Sequence, residues 1–262
     1  MEGRLPQGVR VCKFRKDGSI LMGSVRGDKV IEIKASSVLD LLERGVEETS
    51  RKYQVSDLTL LAPVDRPSKI ICIGLNYRSH IAEMNWKTPE VPIIFSKPSS
   101  SIIGPDESIV LPEASSRVDY EGESAIVIGK RASRVKDGAG YILGYTCLND
   151  VTARDLQKID PDWTRAKGFD TFAPMGPYLS GSSPTQISTR LNGKTVQNAP
   201  LSDRVFDDSA LVEYISSVMT LEPGDVIATG TPSGISPMRA GDVVEVELDS
   251  VGILRNKVVK GP

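Results

Sequence analysis

Histidine is almost missing from this chain, with one residue, His80, in 262. Zinc sites usually draw on several His and Cys ligands. A multi-carboxylate site here should therefore prefer a hard, oxygen-loving ion such as Mg²⁺ or Mn²⁺. Cysteine is scarce too: Cys12, Cys72 and Cys147 stand far apart with no Cys-x-x-Cys pair, which excludes a disulfide framework and predicts reduced, packed thiols. No block of like charge occurs and the net charge is -2, so neither a nucleic acid nor a membrane surface is an expected partner. No apolar run reaches signal-peptide or membrane-spanning length, which predicts a cytoplasmic protein. Gly-x-Gly-x-x-Gly, Gly-x-Ser-x-Gly and the phosphate loop are all missing, as are internal repeats.

What is present is an ordinary globular composition, 39% hydrophobic and 25% charged, with 17 prolines marking many loops. The stretch Asp119 to Gly129 stands out. Its second half, Ala125 to Ile128, is a β-branched apolar run ended by Gly129 and reads as a buried strand. Its first half places carboxylates at 119, 121 and 123, which on a strand share one face. Either they are a solvated strand end, or they are neutralised by Lys or Arg, by protonation or by a cation.

Residues 9–15, 19–25 and 29–33 read as a small antiparallel meander with turns at Asp17-Gly18 and Gly27-Asp28. Ser36 or Ser37 should cap a helix to Arg44, with Leu39 and Leu42 inward and Gly45 as terminator. The proline-flanked stretch Leu61 to Pro67 reads as a linker, dividing a small β-rich segment, 1–65, from a larger one, 66–262. A strand from Lys69 to Ile73 leads to a helical turn, opened by Asn76 or Ser79, that pairs His80 with Glu83 at i,i+3. Thr88 to Pro98 reads as an irregular, proline-bearing lid. A second apolar strand, Tyr141 to Leu148, runs into Asn149-Asp150, where Asp150 could cap a following helix. Asn192-Gly193 signals a hairpin. Asp208 to Leu221 reads as an amphipathic helix with Leu211, Ile215, Val218 and Met219 on one side. Strand Val226 to Ala228 ends in Thr229-Gly-Thr-Pro-Ser-Gly234, a candidate anion cradle.

Together these pieces carry a resemblance. They are Ile73-Gly-Leu-Asn-Tyr-x-x-His80-x-x-Glu83, Phe95-Ser-Lys-Pro-Ser, Asp119-Tyr-Glu121-Gly-Glu123 and Gly144-Tyr-Thr-x-x-Asn-Asp150-Val-x-Ala-Arg154-Asp-x-Gln157. Lys167-x-Phe-Asp-x-Phe-x-Pro-x-Gly-Pro, Leu191-Asn-Gly, Met219-Thr-Leu-x-Pro-Gly-Asp and Thr229-Gly-Thr231-Pro-x-Gly complete the set. From about Ile70 to Val258 the chain resembles the fumarylacetoacetate hydrolase family. The resemblance implies a β-rich α+β fold, a mixed roll or barrel with a small N-terminal β-rich domain, commonly a homodimer. It implies Mg²⁺ or Mn²⁺ on Glu121, Glu123 and Asp150, catalysis by His80, Glu83 and Lys167, and a substrate pocket lined by Arg154, Gln157, Gly230 and Thr231. Ser124 departs from the leucine that often follows Glu-x-Glu, and the segment after Ser236 is shorter than in many relatives.

The substrates the resemblance implies are 2-oxo or 2,4-dioxo acids. The principal expectation is a hydrolase cleaving the C–C bond of an acylpyruvate or fumarylpyruvate. The alternative is an isomerase (tautomerase) or a decarboxylase of a 2-hydroxydienoate or an oxaloacetate-like acid; the contrasting reading is a non-catalytic metal-binding fold. Metal chelation cannot choose among substrate tails; Arg78 or Arg239, nearest in sequence to the lid and the 235–239 loop, could pair with a second carboxylate, and the other reading is that both are solvated surface arginines.

Overall fold

The computed structural model of the chain describes residues 3–64 and 66–261. Asp65, inside the expected linker and at the expected boundary, lies outside them, as do residues 1–2 and 262 at the ends of the two segments. Among the described residues twenty strands form sheets of twelve, three and five, none of which closes into a barrel. Helices are few and short, the longest being Asp208–Val218. The fold is β-rich α+β.

The meander forms as its turns predict: Arg10–Lys16, Ser19–Arg26 and Lys29–Ile33 pair antiparallel in sequence order. Two strands follow that the pattern did not mark, Glu48–Gln54 and Thr59–Leu61. Arg10–Lys16 also bonds to Ala173–Ser180, with Arg10 opposite Ser180, so one sheet runs through both parts of the chain. The helix Val38–Arg44 is capped by Ser37, whose side chain accepts from the Asp40 amide, and ends at Gly45 with φ +76. Val38 and Leu41 face inward and Leu42 packs against them at the edge of the core, as expected for Leu42, whereas Leu39 is exposed. Helix Asp208–Val218 likewise buries Leu211, Val212 and Ile215 while Val218 points to solvent.

The centre of the large sheet is Gly122–Ile128, buried along its whole length. Ile126 and Ile128 pack on one face with Leu211 and Ile215 of the helix and Val246 of the five-stranded sheet. Ala125 and Val127 pack on the other with Val11, Met22 and Ile33 of the meander. Alternation along a strand sends successive side chains to opposite faces. A strand covered on both faces is therefore apolar throughout, and each buried Ile or Val contributes about 1.5–3 kcal/mol. This rigid middle holds the polar residues at its end.

Candidate active site

Five neighbouring strands bring their ends to one edge of the large sheet. In order these are Ile142–Asn149, Gly122–Ile128, Val226–Ala228, Ile70–Gly74 and Ile93–Lys97. The antiparallel register sets Gly122 opposite Asn149, so the next pair outward is Glu121 with Asp150. Asn149 accepts from the Glu121 amide at 2.9 Å, and the Asp150 amide donates to the Glu121 carbonyl at 2.8 Å, which locks the two strand ends together. Glu121, Glu123 and Asp150 each offer an oxygen, and these oxygens all lie within 4.8 Å of one another. All three residues are buried. The carboxylate stretch is not one strand: Val118–Tyr120 belongs to the three-stranded sheet, and Glu121 sits at the break. Asp119 consequently leaves the cluster and pairs with Arg117 at 2.9 Å and Arg154 at 2.9 Å.

Cations meet this charge unevenly. Lys167, on the short helix Thr164–Lys167, donates to Glu121 at 2.8 Å and to Asp150 at 2.6 Å. Lys97 donates to Asp150 at 2.7 Å and to the Val151 carbonyl at 3.1 Å. Arg154 bridges Asp119, Glu121 and, at 2.6 Å, Gln157. Burial pushes the Glu121 carboxyl up, but the Lys167 and Arg154 charges outweigh it and hold the group well below the usual glutamate range. Burial likewise opposes the Lys167 charge, and Asp150 and Glu121 overcome it, keeping the ammonium protonated. Glu123 is different. It accepts from the Gly230 amide at 2.8 Å, and burial followed by the charges of Asp150 and Glu121 drives it well above the ordinary glutamate range.

These residues fit a divalent cation. The donors are hard carboxylate oxygens, converging, and Glu123 has no Lys or Arg against it among the described residues. A buried carboxylate surrounded by like charge is costly unless it is protonated or shares a cation. Two of the three carboxylates are also paired with Lys or Arg, so the ion and the two lysines would divide the charge between them.

Opposite the cluster, His80 and Glu83 lie on the helix Arg78–Glu83, with His80 Nδ1 3.1 Å from Glu83 Oε2. Glu83 Oε1 accepts from the Gly234 amide at 3.0 Å, which holds this helix down on the 229–234 loop. Between helix and cluster is a cavity of about 190 Å³ lined by His80, Glu121, Glu123, Asp150, Arg154, Gln157, Lys167 and Thr231. Its outer wall is apolar: Ile73, Leu75, Met84, Trp86, Phe95 and Trp163. Trp163 packs edge-on to Phe95 at 5.0 Å, and Lys167 Nζ sits 5.0 Å from the Phe95 ring centre. Gly74 permits this, since a Cβ there would stand 2.9 Å from the Trp163 ring.

Residues 69–259 match the family model "Fumarylacetoacetate (FAA) hydrolase C-terminal", and residues 9–63 match "Rv2993c-like, N-terminal". The chain belongs to the fumarylacetoacetate hydrolase family. Among its relatives in this family is an uncharacterized protein of Archaeoglobus fulgidus, 57% identical over 199 residues, covering 74% of this chain and 80% of that one. The mitochondrial oxaloacetate tautomerase Fahd2a of Rattus norvegicus is 44% identical over 220 residues, 78% of this chain and 70% of its own length. Of solved structures, the 2-hydroxyhepta-2,4-diene-1,7-dioate isomerase of Mycobacterium marinum superposes with TM-score 0.86 at 39% identity, covering 97% of this chain and 99% of that one.

Within this member of the fumarylacetoacetate hydrolase family several sequence expectations need correction. Asp150 caps no helix; it precedes the strand Thr152–Ala153, and the next helix, Arg154–Ile159, starts after Ala153. Thr88 to Pro98 is not wholly irregular, since Ile93–Lys97 is a strand of the large sheet. The helix carrying His80 is not opened by an Asn76 or Ser79 cap. Asn76 instead ties Thr229 and Phe206, while Asp203 accepts from the Ser79 amide and hydroxyl at 3.1 and 2.6 Å. The Thr229–Gly234 loop is no free anion cradle: the Gly230 amide is taken by Glu123, and the Thr229 and Thr231 hydroxyls by carbonyls of Ser124 and Gly122. Gly230 does not line the cavity; Arg154, Gln157 and Thr231 do. Arg78 is exposed and donates to the carbonyls of Ser202, Asp203 and Arg204, and neither it nor the exposed Arg239 lines the cavity.

Two residues were overlooked. Lys97 lay in plain view inside Phe-Ser-Lys-Pro-Ser, yet only the fold carries its ammonium to Asp150. Gln197 accepts from the Gly122 amide and donates to Thr231, joining the carboxylate strand to the loop, and its hairpin gave no signal of this. The cysteines are buried and free, and burial pushes the Cys12 and Cys147 thiols up to about 12.

Proposed function

We propose that this protein is a Mg²⁺- or Mn²⁺-dependent tautomerase of a small 2-oxo acid of the oxaloacetate type. The observation that carries the reading is the lone imidazole, His80, facing three converging carboxylates across a 190 Å³ cavity. Such a volume equals the share of about six waters and suits a compact acid. Glu121, Glu123 and Asp150 would hold the ion, which supplies Lewis-acid polarisation of the 2-oxo group and its carboxylate. Glu83 holds Nδ1–H of His80, leaving Nε2 as the nitrogen that takes the proton from the carbon beside the carbonyl. Lys167, kept protonated by Asp150 and Glu121, would steady by its charge the enolate oxygen, which takes up the proton that left the carbon. The apolar wall keeps bulk water from the exchange. The curated relatives named as oxaloacetate tautomerases, 42–44% identical, support this reading. On the same reading the protein works as a cytoplasmic homodimer on a free metabolite, without nucleic-acid or membrane partners; no helix among the described residues is long and apolar enough to cross a membrane.

A second reading is C–C hydrolysis of an acylpyruvate, favoured by the same His80–Glu83 pair, which could equally activate water. One experiment separates them. Metal-free protein is given Mg²⁺ or Mn²⁺ and assayed for loss of enol-oxaloacetate absorbance, acylpyruvate cleavage and decarboxylation of oxaloacetate. The expected result is accelerated tautomerisation with the other two at background. His80→Ala should lower the rate about 10²–10⁴-fold while leaving the metal-induced rise in Tm unchanged. Acylpyruvate cleavage as the dominant activity would overturn the tautomerase reading.

A further inference from the structure

We propose that Lys158 reads the far end of the substrate by binding a second carboxylate, making the preferred substrate a 2-oxo diacid. The inference rests on the 2-oxo-acid reading above. Lys158 lies in the last turn of helix Arg154–Ile159 and lines the cavity at the mouth, as do Met84 and Trp86. It is exposed, and its ammonium has no hydrogen-bond or ion-pair partner among the described residues. The acids beside it in sequence are committed elsewhere. Asp155 accepts from Ser115 and Ser116, Asp160 from Arg165 at 2.8 and 2.5 Å, and Asp162 from the Thr164 amide.

The other cations lining the cavity are spent. Arg154 is held by Asp119 and Glu121, and Lys167 by Glu121 and Asp150. The rings of Phe95 and Trp163 line the same cavity, Phe95 lying against Lys167. A second carboxylate stranded among them would be desolvated without a partner, which is costly. Extended to the mouth it meets Lys158, which has no hydrogen-bond or ion-pair partner among the described residues. Arg78 and Arg239 cannot serve, since neither reaches the cavity. Lys158 thus supplies a discrimination that the inner cluster cannot: it tells a charged tail from a neutral one.

The test compares oxaloacetate with its 4-methyl ester, of the same backbone but with a neutral tail. Lys158→Ala should raise KM for the diacid about fivefold, the scale of a partly exposed charge pair. It should leave kcat and the KM for the ester nearly unchanged. Lys158→Glu should raise the diacid KM further, and Lys158→Arg should restore it. Equal changes for diacid and ester, or none for either, would overturn the proposal. A binding arm separates this from the reaction it rests on. Both tryptophans of the chain, Trp86 and Trp163, line the cavity, so their fluorescence reports occupancy by the same two compounds with Mg²⁺ present. If neither compound is turned over but Lys158→Ala abolishes the diacid preference in binding, the reaction fails and Lys158 keeps its role. If both are turned over with the preference unaltered in Lys158→Ala, Lys158 fails and the reaction stands. If neither compound binds, both are overturned.

Discussion

Glu123 concentrates the electrostatic cost of the site. It is buried beside Asp150 and Glu121 and makes no ion pair among the described residues, whereas Glu121 pairs with Lys167 and Arg154. Its pKa in the folded chain is raised above the ordinary 4.5. The stability it contributes is therefore fully present below about pH 4.5 and is lost as pH rises through the elevated folded value. Glu121 acts in the opposite sense, its contribution being present above the ordinary range and lost as pH falls towards its depressed value. In metal-free protein, Glu123→Gln should remove the alkaline loss and raise stability at neutral pH by about 1–3 kcal/mol. Thermal melts between pH 4 and 8 test this, each kcal/mol corresponding to about 2–4 °C in a chain of this size. The same variant should lose most of its Mg²⁺- or Mn²⁺-induced stabilisation, which in the parent reaches about 2.7 kcal/mol at a hundredfold excess over Kd. A melting profile indistinguishable from the parent, with and without metal, would remove Glu123 from the ion site.

The helix Arg78–Glu83 has only six residues, far below the length at which a helix is stable alone. It is held by tertiary contacts: Asp203 accepts from Ser79 at its start, and Glu83 accepts from the Gly234 amide at its end. Arg78 adds bonds to the carbonyls of Ser202, Asp203 and Arg204 at the start, so the end rests on Glu83 while the start is anchored several times over. Asp203→Ala should speed hydrogen exchange at 78–84 at least tenfold, since losing a charged acceptor costs about 1.5–3 kcal/mol. Exchange in Gly122–Ile128 should not change. Exchange rising equally in both would mean that Asp203 supports the whole fold rather than the helix. The i,i+3 pairing of His80 with Glu83 was legible because helical periodicity is local. The anchor on Asp203 was not, because 124 residues separate it from Ser79.

At the scale of the whole molecule, the meander is a cover as well as a neighbour. Val11, Met22 and Ile33 complete the cluster that contains Ala125, Val127, Leu143 and Leu179 on one face of the large sheet. Removing residues 1–65 would bare that face and leave Ala173–Ser180 without its partner Arg10–Lys16. We expect the 66–262 fragment to bind a hydrophobic dye and to melt well below the full chain, and the full chain to unfold in one calorimetric transition. A fragment as stable as the parent would mark two independent folding units. The matches at 9–63 and 69–259 delimit families of sequence; the sheet that crosses between them is a matter of hydrogen bonding.

Taken alone, the amino-acid sequence determined what depends on near neighbours. Asn192-Gly193 dictated its hairpin through two positive-φ positions, Ser37 and Gly45 bounded their helix, and the apolar run after Glu123 declared a doubly covered strand. The ordered motifs likewise pointed to the right family and to the carboxylates that converge as Glu121, Glu123 and Asp150. The tertiary structure decided which charges meet. Asp119 alternates with Glu121 and Glu123 yet is held by two arginines, Lys97 lies 53 residues from the Asp150 it touches, and Arg78, near the lid in sequence, binds three carbonyls outside the pocket. Coulomb energy falls with distance in space. That distance is set by strand register and the reach of long side chains, neither of which has a local signature in the chain.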